Sequence, residues 1–526
     1  MRPIIQEIDS ETTPEGLIEK LRGRGGAILL RSHPHDSAQA RYSFVAAEPF
    51  LTFRSFGSRC EIRSASGTQW QFGNPWAVLD GLMARYEILD EVDLPFPLGG
   101  CFGFWGYDLK NFVEPRLSRR AVDDLELPDC CVGFHDSLVV FDHQLHKTWI
   151  VSTGLAADGS RERAQAVNAF DAWNERLAAK EPGGSLAEAD AETPDRMSTQ
   201  GVSRPEWKFP ERGCVGDQPR SAGAFSLAEA QAEPGLPQGA LTSNLTREEF
   251  IARVERAQRY IRSGDIYQVN LSQRLSTLWT SGGWDLYRRL ADISPAPFSA
   301  WLDCGDFQIA SSSPERFLKL SGPHIETRPI KGTRPRSNDP DEDARLAFEL
   351  QTSEKERAEL VMITDLLRND LGRICEFGSV KVPDLLRLER FAQVQHLVST
   401  VEGRLRPDVT HFNAFASCFP GGSITGAPKI RAMEIIDELE PVTRGPYTGG
   451  IGYLGFNRES QLNIAIRTAV CAHERAWFHV GAGIVADSDP AAEHDETLAK
   501  AAGFLAALKR PVAPVERPAV KDRQRA

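Results

Sequence analysis

Residues 311–336 constrain this chain more than any other stretch. They read Ser-Ser-Ser-Pro-Glu-Arg-Phe, a short alternating run, a Ser321-Gly322-Pro323 turn, and then Glu-Thr-Arg-Pro-Ile-Lys-Gly-Thr-Arg-Pro-Arg. Phe317, Leu318 and Leu320 fit one strand, and residues 324–328 fit the strand that returns. Glu315 stands where the first strand begins and Lys331 where the second ends, so the hairpin brings a carboxyl and an amine to one place. An exposed ion pair is the plain alternative, because such pairs are common and weak. The flanks point to more than that. Pro329 and Pro335 stiffen the backbone, and Gly332 lets it pass close to a ligand.

The length of 526 residues allows two to four domains with ample core. A formal net charge of −12 argues against nucleic acid or an anionic membrane as partner. No apolar run is long enough to span a bilayer, and the start, Met-Arg-Pro-Ile-Ile-Gln-Glu, lacks the apolar core of a secretory signal. The 9 cysteines follow no Cys-x-x-Cys pattern, which suits reduced thiols in a cytoplasm.

Residues 1–178 mix strands and helices. Within them Gly99-Gly100-Cys-Phe-Gly103-Phe-Trp-Gly106 is a strand whose glycines predict close backbone packing or bending, or plain core architecture. Residues 179–240 lose periodicity and turn rich in Gly, Pro, Ser, Ala, Asp and Glu, as a linker or mobile insertion does. Inside them Gly213-Cys214-Val215-Gly216-Asp217-Gln218 matches the nucleophile turn of glutamine amidotransferases in spelling only. No apolar strand precedes it and no helical pattern follows. Residues 241–510 carry the sharper signals, and 511–526 read as a disordered tail.

Thr246-Arg-Glu-Glu249 is a capping box for a helix closed by Gly264. An alternating strand over 265–274 contains Gln268. A long helical region over 339–373 holds Glu356 and Glu359 three apart, on one face. His396 lies in a strand. Phe419-Pro-Gly-Gly-Ser-Ile-Thr425-Gly-Ala-Pro428-Lys429 is a glycine-rich turn entering a helix, with Thr425 as its N-cap. Free N–H groups at such a helix start suit an anion. Arg467 interrupts an apolar strand over 462–468, and a buried Arg demands an anionic partner, bound or structural. A final helix over 490–510 carries Glu493, Glu496 and Lys500 on one face.

Two helices thus each offer paired carboxylates without His or Cys company. That hard oxygen set suits Mg²⁺, which takes one or two carboxylates plus waters and substrate oxygens. Arg467, the N–H groups of Gly481-Ala-Gly483 and Lys500 suit substrate carboxylates. Glu315 suits a general acid, and Lys331 a nucleophile when neutral. The residues alone predict Mg²⁺-assisted chemistry on a small polycarboxylate.

Residues 241–508 closely resemble the chorismate-utilising enzymes. The motifs that carry the resemblance are Ser-Gly-Asp-Ile-Tyr-Gln-Val-Asn, Ser-Ser-Pro-Glu-Arg-Phe, Arg-Pro-Ile-Lys-Gly-Thr, Glu-Arg-Ala-Glu-Leu-Val-Met-Ile, His-Leu-Val-Ser, Thr-Gly-Ala-Pro-Lys, Ile-Ala-Ile-Arg-Thr and Gly-Ala-Gly-Ile-Val-Ala-Asp-Ser. The first 178 residues resemble the family's first segment more loosely, through Arg-Tyr-Ser-Phe and Gly-Tyr-Asp-Leu. The resemblance implies an α+β fold of two orthogonally packed antiparallel sheets with helices outside. It implies Mg²⁺ at Glu359 and Glu496 with Glu356 and Glu493 in support. It implies substrate carboxylates at Arg467, Tyr447, Gly483 and Lys500, with Thr425 and His396 lining the site.

Two positions discriminate within the family. Members that add water resemble one another in placing a lysine base where this chain has Gln268. Anthranilate synthases look like Pro-Ile-Ala-Gly-Thr where this chain has Pro-Ile-Lys331-Gly-Thr, the pattern of aminodeoxychorismate synthases. The resemblance therefore implies chorismate and ammonia as substrates. The ammonia is expected from a separate glutamine amidotransferase subunit, since no convincing glutaminase segment is present. Non-catalytic binding of chorismate or tryptophan is the alternative of another class, and the full set of Glu315, Lys331, Glu359 and Glu496 argues against it. The 179–240 insertion departs from the family pattern. So does Leu29-Leu30-Arg31-Ser32, where anthranilate synthases have Glu before the Ser of a feedback pocket. Arg31 argues against tryptophan inhibition, while a structural tryptophan near Ser32 and Ser43 stays open.

Overall fold

The structure is a computed structural model that describes residues 1–32, 41–89, 94–179, 241–390 and 394–509, with the backbone of Phe225–Ser226. Most of the expected 179–240 insertion, its Cys214 stretch and the 511–526 tail lie outside the described residues.

Alternating apolar strands pair into two large antiparallel sheets. One has 13 strands and the other 12. The first runs from Ile4–Ile8 through Lys147–Ser152, Ser137–Asp142, Tyr42–Ala46 and Ile28–Arg31, then Phe298–Asp303, Gln308–Ser313, Thr468–Ala472, Arg475–Ile484 and Gln268–Leu278. The second runs from Ile330–Pro335 through Val394–Arg404, His324–Thr327, Arg316–Ser321, Glu459–Ile464 and Gly450–Gly455, then Gly100–Trp105, Cys130–His135 and Leu51–Phe56. Each sheet is therefore built jointly by the first 178 residues and by the later segment. Leu30 pairs with Ala300 in one, and Phe104 with Ile451 in the other.

Three layers of apolar contact hold this together. Between the sheets, Phe44, Val140, Leu302 and Ile309 of the first meet Phe102, Phe104, Ile451 and Tyr453 of the second. Outside the first sheet, Leu17, Trp284, Leu290 and Phe504 pack from helices. Outside the second, Trp76, Leu79, Leu367 and Phe415 do the same. Burial of these side chains is the main favourable term in folding.

Several boundaries differ from expectation. The helical region over 339–373 is two helices, Pro340–Thr352 and Glu354–Gly372, because Ser353 caps the second through a bond from Glu356 N–H. The last helix likewise breaks at Ala501. Thr425 is not the N-cap: the helix Lys429–Leu439 starts after Pro428, and the Thr425 hydroxyl donates to the carbonyls of Gly421 and Gly422 at 3.0 and 3.3 Å. Arg467 lies between the strands Glu459–Ile464 and Thr468–Ala472, with φ +48, instead of inside one strand.

The glycine strand is close-packed as its composition predicts. Gly103 and Gly452 are cross-strand partners with φ +152 and +153. A Cβ on either would fall within 3.0 Å of a neighbouring backbone carbonyl oxygen, that of Cys131 or Gln461. Gly452→Ala should cost about 2 kcal/mol or more of unfolding free energy. Gly73→Ala, where an added Cβ meets nothing within 4 Å, should be close to neutral. Chemical denaturation measures both, and equal losses would remove the steric account.

Candidate active site

The hairpin of Arg316–Ser321 and His324–Thr327 forms as expected, with Ser321 opposite His324. Lys331 does not close the returning strand. It opens a further strand, Ile330–Pro335, which pairs with Val394–Arg404 and places Lys331 opposite Leu397. The register shifts between Lys331 and Thr333, at Gly332 with φ +67. A Cβ at Gly332 would strike Leu350 and the Glu356 carboxylate, so glycine permits the approach of this strand to the helix Glu354–Gly372.

Glu315 is buried. Burial pushes its carboxyl up to about 7, against the downward pull of the Ser423 hydroxyl, the Lys331 ammonium and a backbone hydrogen bond from Ile330. A carboxylic acid poised near neutrality is suited to giving a proton. Lys331 Nζ lies 3.6 Å from Glu359 Oε2, both side chains being mostly buried.

The two acid pairs face the same space. Burial raises Glu356, and the neighbouring Glu359 charge raises it further, opposed by Arg334, Lys331 and Lys355. Burial likewise raises Glu493, whose carboxylate accepts from Ser488 Oγ at 2.6 Å. Burial also acts upward on Glu496, but Lys500, Lys355 and Lys331 outweigh it and hold that carboxyl low. Lys331 and Lys355 thus act on carboxylates from both helices. Lys500 bonds Glu496 at 2.8 Å and donates to the Gly481 carbonyl at 2.9 Å.

The floor is the strand pair Gln268–Leu278 and Arg475–Ile484, with Asn270 opposite Gly483. A Cβ on Gly483 would stand 2.6 Å from Gln268 Nε2 and 3.8 Å from Lys331 Nζ. Gln268 and Gly483 therefore meet the lysine. Tyr447 is buried, stacked on His479 at 5.0 Å between ring centroids, and its hydroxyl reaches toward Gly481.

Arg467 is solvent-accessible yet crowded by protein, as a residue lining a wet cleft is, and desolvation lowers its pKa. Among the described residues no carboxylate pairs with its guanidinium, so the structural-partner alternative finds no partner there. Its charge, after burial itself, helps push the His396 imidazole down to about 4, against a backbone bond with Gly332. His396 Nδ1 lies 2.9 Å from Thr333 Oγ1. Thr425 is fully buried beside this turn, and its carbonyl accepts from Asn270 N–H at 2.8 Å.

Sequence reading passed over the pair that ties these segments together. Arg444 donates from Nε and Nη2 to Glu440 at 2.8 and 2.7 Å. It also donates to the carbonyls of Asn270 and Ile424 at 2.9 and 3.1 Å and to Thr448 Oγ1 at 3.2 Å. Glu440 accepts from the Ser272 N–H and hydroxyl. The only sequence signal was the i, i+4 spacing across a helix end, which is common.

Ser32 and Ser43 lie elsewhere, at a cavity of about 320 Å³ between the sheets that is also lined by Arg31, Phe298, Tyr453 and Asn463. Arg31 spans it, bonding Glu15 at 2.6 Å, the Ser32 carbonyl at 2.8 Å and Ser43 Oγ at 3.3 Å. The two serines are thus brought together with each other and not with the lysine site.

Comparison with known proteins agrees with this arrangement. Residues 211–506 match the family model described as chorismate binding enzyme. The chain is 36% identical over 511 residues to anthranilate synthase component 1 of Acetivibrio thermocellus, covering 96% of this chain and 95% of that one. It is 37% identical over 486 residues to aminodeoxychorismate synthase component 1 of Escherichia coli K12, covering 92% and 93%. Among solved structures, anthranilate synthase component I of Streptococcus pneumoniae superposes with a TM-score of 0.71 at 29% identity, over 95% of this chain and 99% of that one. The menaquinone-specific isochorismate synthase of Escherichia coli shares the fold, with a TM-score of 0.64 at 16% identity over 96% and 94%. No helix among the described residues is long and apolar enough to cross a membrane. The chain is a member of the chorismate-binding enzyme family, with the α+β fold of two antiparallel sheets and flanking helices that its resemblance implied.

Proposed function

We propose that this chain is the synthase component that converts chorismate and ammonia to 4-amino-4-deoxychorismate. The observation that supports it best is Lys331, whose amine lies against Glu359 and the Gly483 backbone on the same floor as Gln268. Relatives of both the aminodeoxychorismate and the anthranilate type match at similar identity, so overall similarity does not choose between them.

In this reading Glu315 protonates the departing C4 hydroxyl, which leaves as water. The neutral Lys331 amine adds at C2 as the double bonds shift. Ammonia then adds at C4, the shift reverses and the Lys331 bond breaks. One displacement becomes two, which retains the C4 configuration. Arg467, Tyr447, Gly483 and Lys500 orient the substrate carboxylates, with Thr425 and His396 at the margin.

Magnesium fits the donor chemistry of the carboxylates: the groups on the two helices are all oxygen. Among the described residues no group of three or more His, Cys, Asp or Glu side chains is gathered to hold an ion. That is compatible with Mg²⁺, which uses one or two carboxylates and fills its sphere with waters and substrate oxygens. Glu359 and Glu496 would hold it, with Glu356 and Glu493 in support. When bound it would neutralise substrate carboxylate charge. The ammonia would come from a separate glutamine amidotransferase; "component 1" in the relatives' names is in keeping with a second component. A cytoplasmic location follows from the same reading.

Product analysis by mass spectrometry decides the reaction. With chorismate, Mg²⁺ and an ammonium salt, the expected product is aminodeoxychorismate with little pyruvate, and none from Lys331→Ala. Anthranilate with pyruvate from the parent would replace this reading by anthranilate synthesis. Glu315→Gln should lower the rate by about 10²–10⁴.

The pH dependence follows from the environment of Glu315. Its acid form is present below about 7 and is lost as pH rises through that value. At constant free ammonia, the rate should therefore carry a descending limb near pH 7. Ser423 pulls this pKa down. Ser423→Ala should then move the limb to higher pH, and a limb that stays in place would show that another group sets it.

A further inference from the structure

A second cavity, of about 400 Å³, lies behind Tyr447 and is lined by Arg274, Arg444, Thr468, Trp477 and His479. Neither the acid–lysine chemistry nor the carboxylate pairs account for it. Its wall is the same strand pair that floors the lysine site. Along that pair Arg274 faces His479, Ser272 faces Gly481, and Asn270 faces Gly483. Residues directly opposite, and those two apart on one strand, share a face of an antiparallel sheet. Positions 479, 481 and 483 therefore form one row from the cavity to the lysine, about 13 Å long at the usual strand rise.

Two of the three positions carry no side chain. A Cβ at Gly481 would stand 2.8 Å from Tyr447 Oη and 2.9 Å from Asn270 Oδ1. One at Gly483 would stand 2.6 Å from Gln268 Nε2 and 3.8 Å from Lys331 Nζ. Along the same row, three buried atoms have no hydrogen-bond partner: His479 Nε2, Asn270 Oδ1 and Gln268 Oε1. Gln268 and His479 are more than nine-tenths buried. The amide oxygens can only accept. Buried polar groups are normally satisfied, so an orphaned series calls for a small mobile donor.

The charges select which donor. Arg274 and Arg444 stand at the cavity, and Arg274 is held by Asp124 at 2.8 Å. Burial, with those two guanidinium groups, keeps His479 neutral by lowering its pKa well below the usual imidazole value. A cation-lined passage repels ammonium and admits neutral ammonia.

We propose that this glycine row is the path by which ammonia reaches the reacting carbon, from the cavity behind Tyr447 past His479 and Asn270 to Gln268 and Lys331. The proposal rests on the reading of this chain as a chorismate-aminating enzyme. Ammonia donates to each acceptor in turn and arrives with its lone pair free for attack. No co-reactant beyond those of the amination is needed.

Filling the cavity tests it. Leu125→Trp does so from a loop, and Val470→Phe from the sheet; both residues line the cavity and neither belongs to the catalytic or binding machinery. Steady-state kinetics with the full chain, chorismate, Mg²⁺ and ammonium chloride would vary each substrate separately. The expected result is a KM for ammonia raised about tenfold with the KM for chorismate unchanged. An unchanged ammonia KM in a folded filled variant overturns the path. Product analysis in the same assay separates the two readings. Anthranilate from the parent sinks the lysine chemistry but leaves the path standing on its own kinetics, because that reaction also consumes ammonia. A parent that adds only water overturns both.

Discussion

The buried ion pair of Arg444 and Glu440 is the interaction on which the site depends. Both side chains are almost wholly removed from solvent. Two charges brought that far from water are tolerable only when every donor and lone pair finds a partner. Here the surplus donors go to backbone carbonyls at Asn270 and Ile424, and the surplus acceptor capacity goes to Ser272. The pair therefore pins the floor strand, the glycine-rich turn and the segment bearing Tyr447 to one another. Removing one partner of such a pair costs about 3–5 kcal/mol, because the other charge is left buried and alone. The guanidinium also lies over the rings of Tyr107 and Tyr447, at 4.7 and 5.6 Å from their centroids. That stacking fixes the tyrosine plane as well as the backbone around it.

A rigid floor matters because the lysine arrives from the other sheet. Gln268 and Gly483 belong to the first sheet, and Lys331 and His396 to the second. Sheets that pack through aromatic and branched side chains have little freedom to slide, since interiors are as dense as organic crystals. The first 178 residues contribute strands to both sheets, so they act on the site by holding its two halves in register. The irregularity at Gly332 then does locally what the sheets cannot. It turns the strand so that Lys331 meets Glu359, while Thr333 meets His396.

Much of this was legible in the sequence because the signals were short-range. The Ser321-Gly322-Pro323 turn sets the hairpin, and Thr246 with Glu249 makes the expected capping box. The spacing of Glu356 and Glu359, and of Glu493 and Glu496, places each pair on one helical face whatever the tertiary fold. What escaped depends on contacts distant in sequence. Arg444 reads as an ordinary basic residue until Asn270, 174 positions away, is beside it. Ser353 looks like one more polar residue in a helix, yet its side chain outcompetes helix continuity by capping the next one. Thr425 matches the N-cap preference, but the turn folds its hydroxyl back onto its own carbonyls. Arg467 fits a strand by its neighbours and is displaced from it by a positive φ that only the chain reversal requires.

Charge balance links the substrate and metal proposals. Glu356, Glu359, Glu493 and Glu496, counted as ionised, face Lys331, Lys355, Lys500 and Arg467, so the site is close to neutral with Glu315 protonated. A dicarboxylate arriving at Arg467 and Lys500 draws those cations toward itself and leaves the glutamates in excess. In a partly buried site that excess is costly, because the effective dielectric is far below that of water. A divalent cation held by glutamates on both helices would restore the balance and free Lys331 from its contact with Glu359. Lys331 must be neutral to act as a nucleophile, and a neighbouring carboxylate favours its charged form. Exchange of that carboxylate from lysine to metal would therefore couple substrate binding to activation of the amine. On this view the acid pairs serve less to attract a cation than to release the lysine when substrate and cation arrive together.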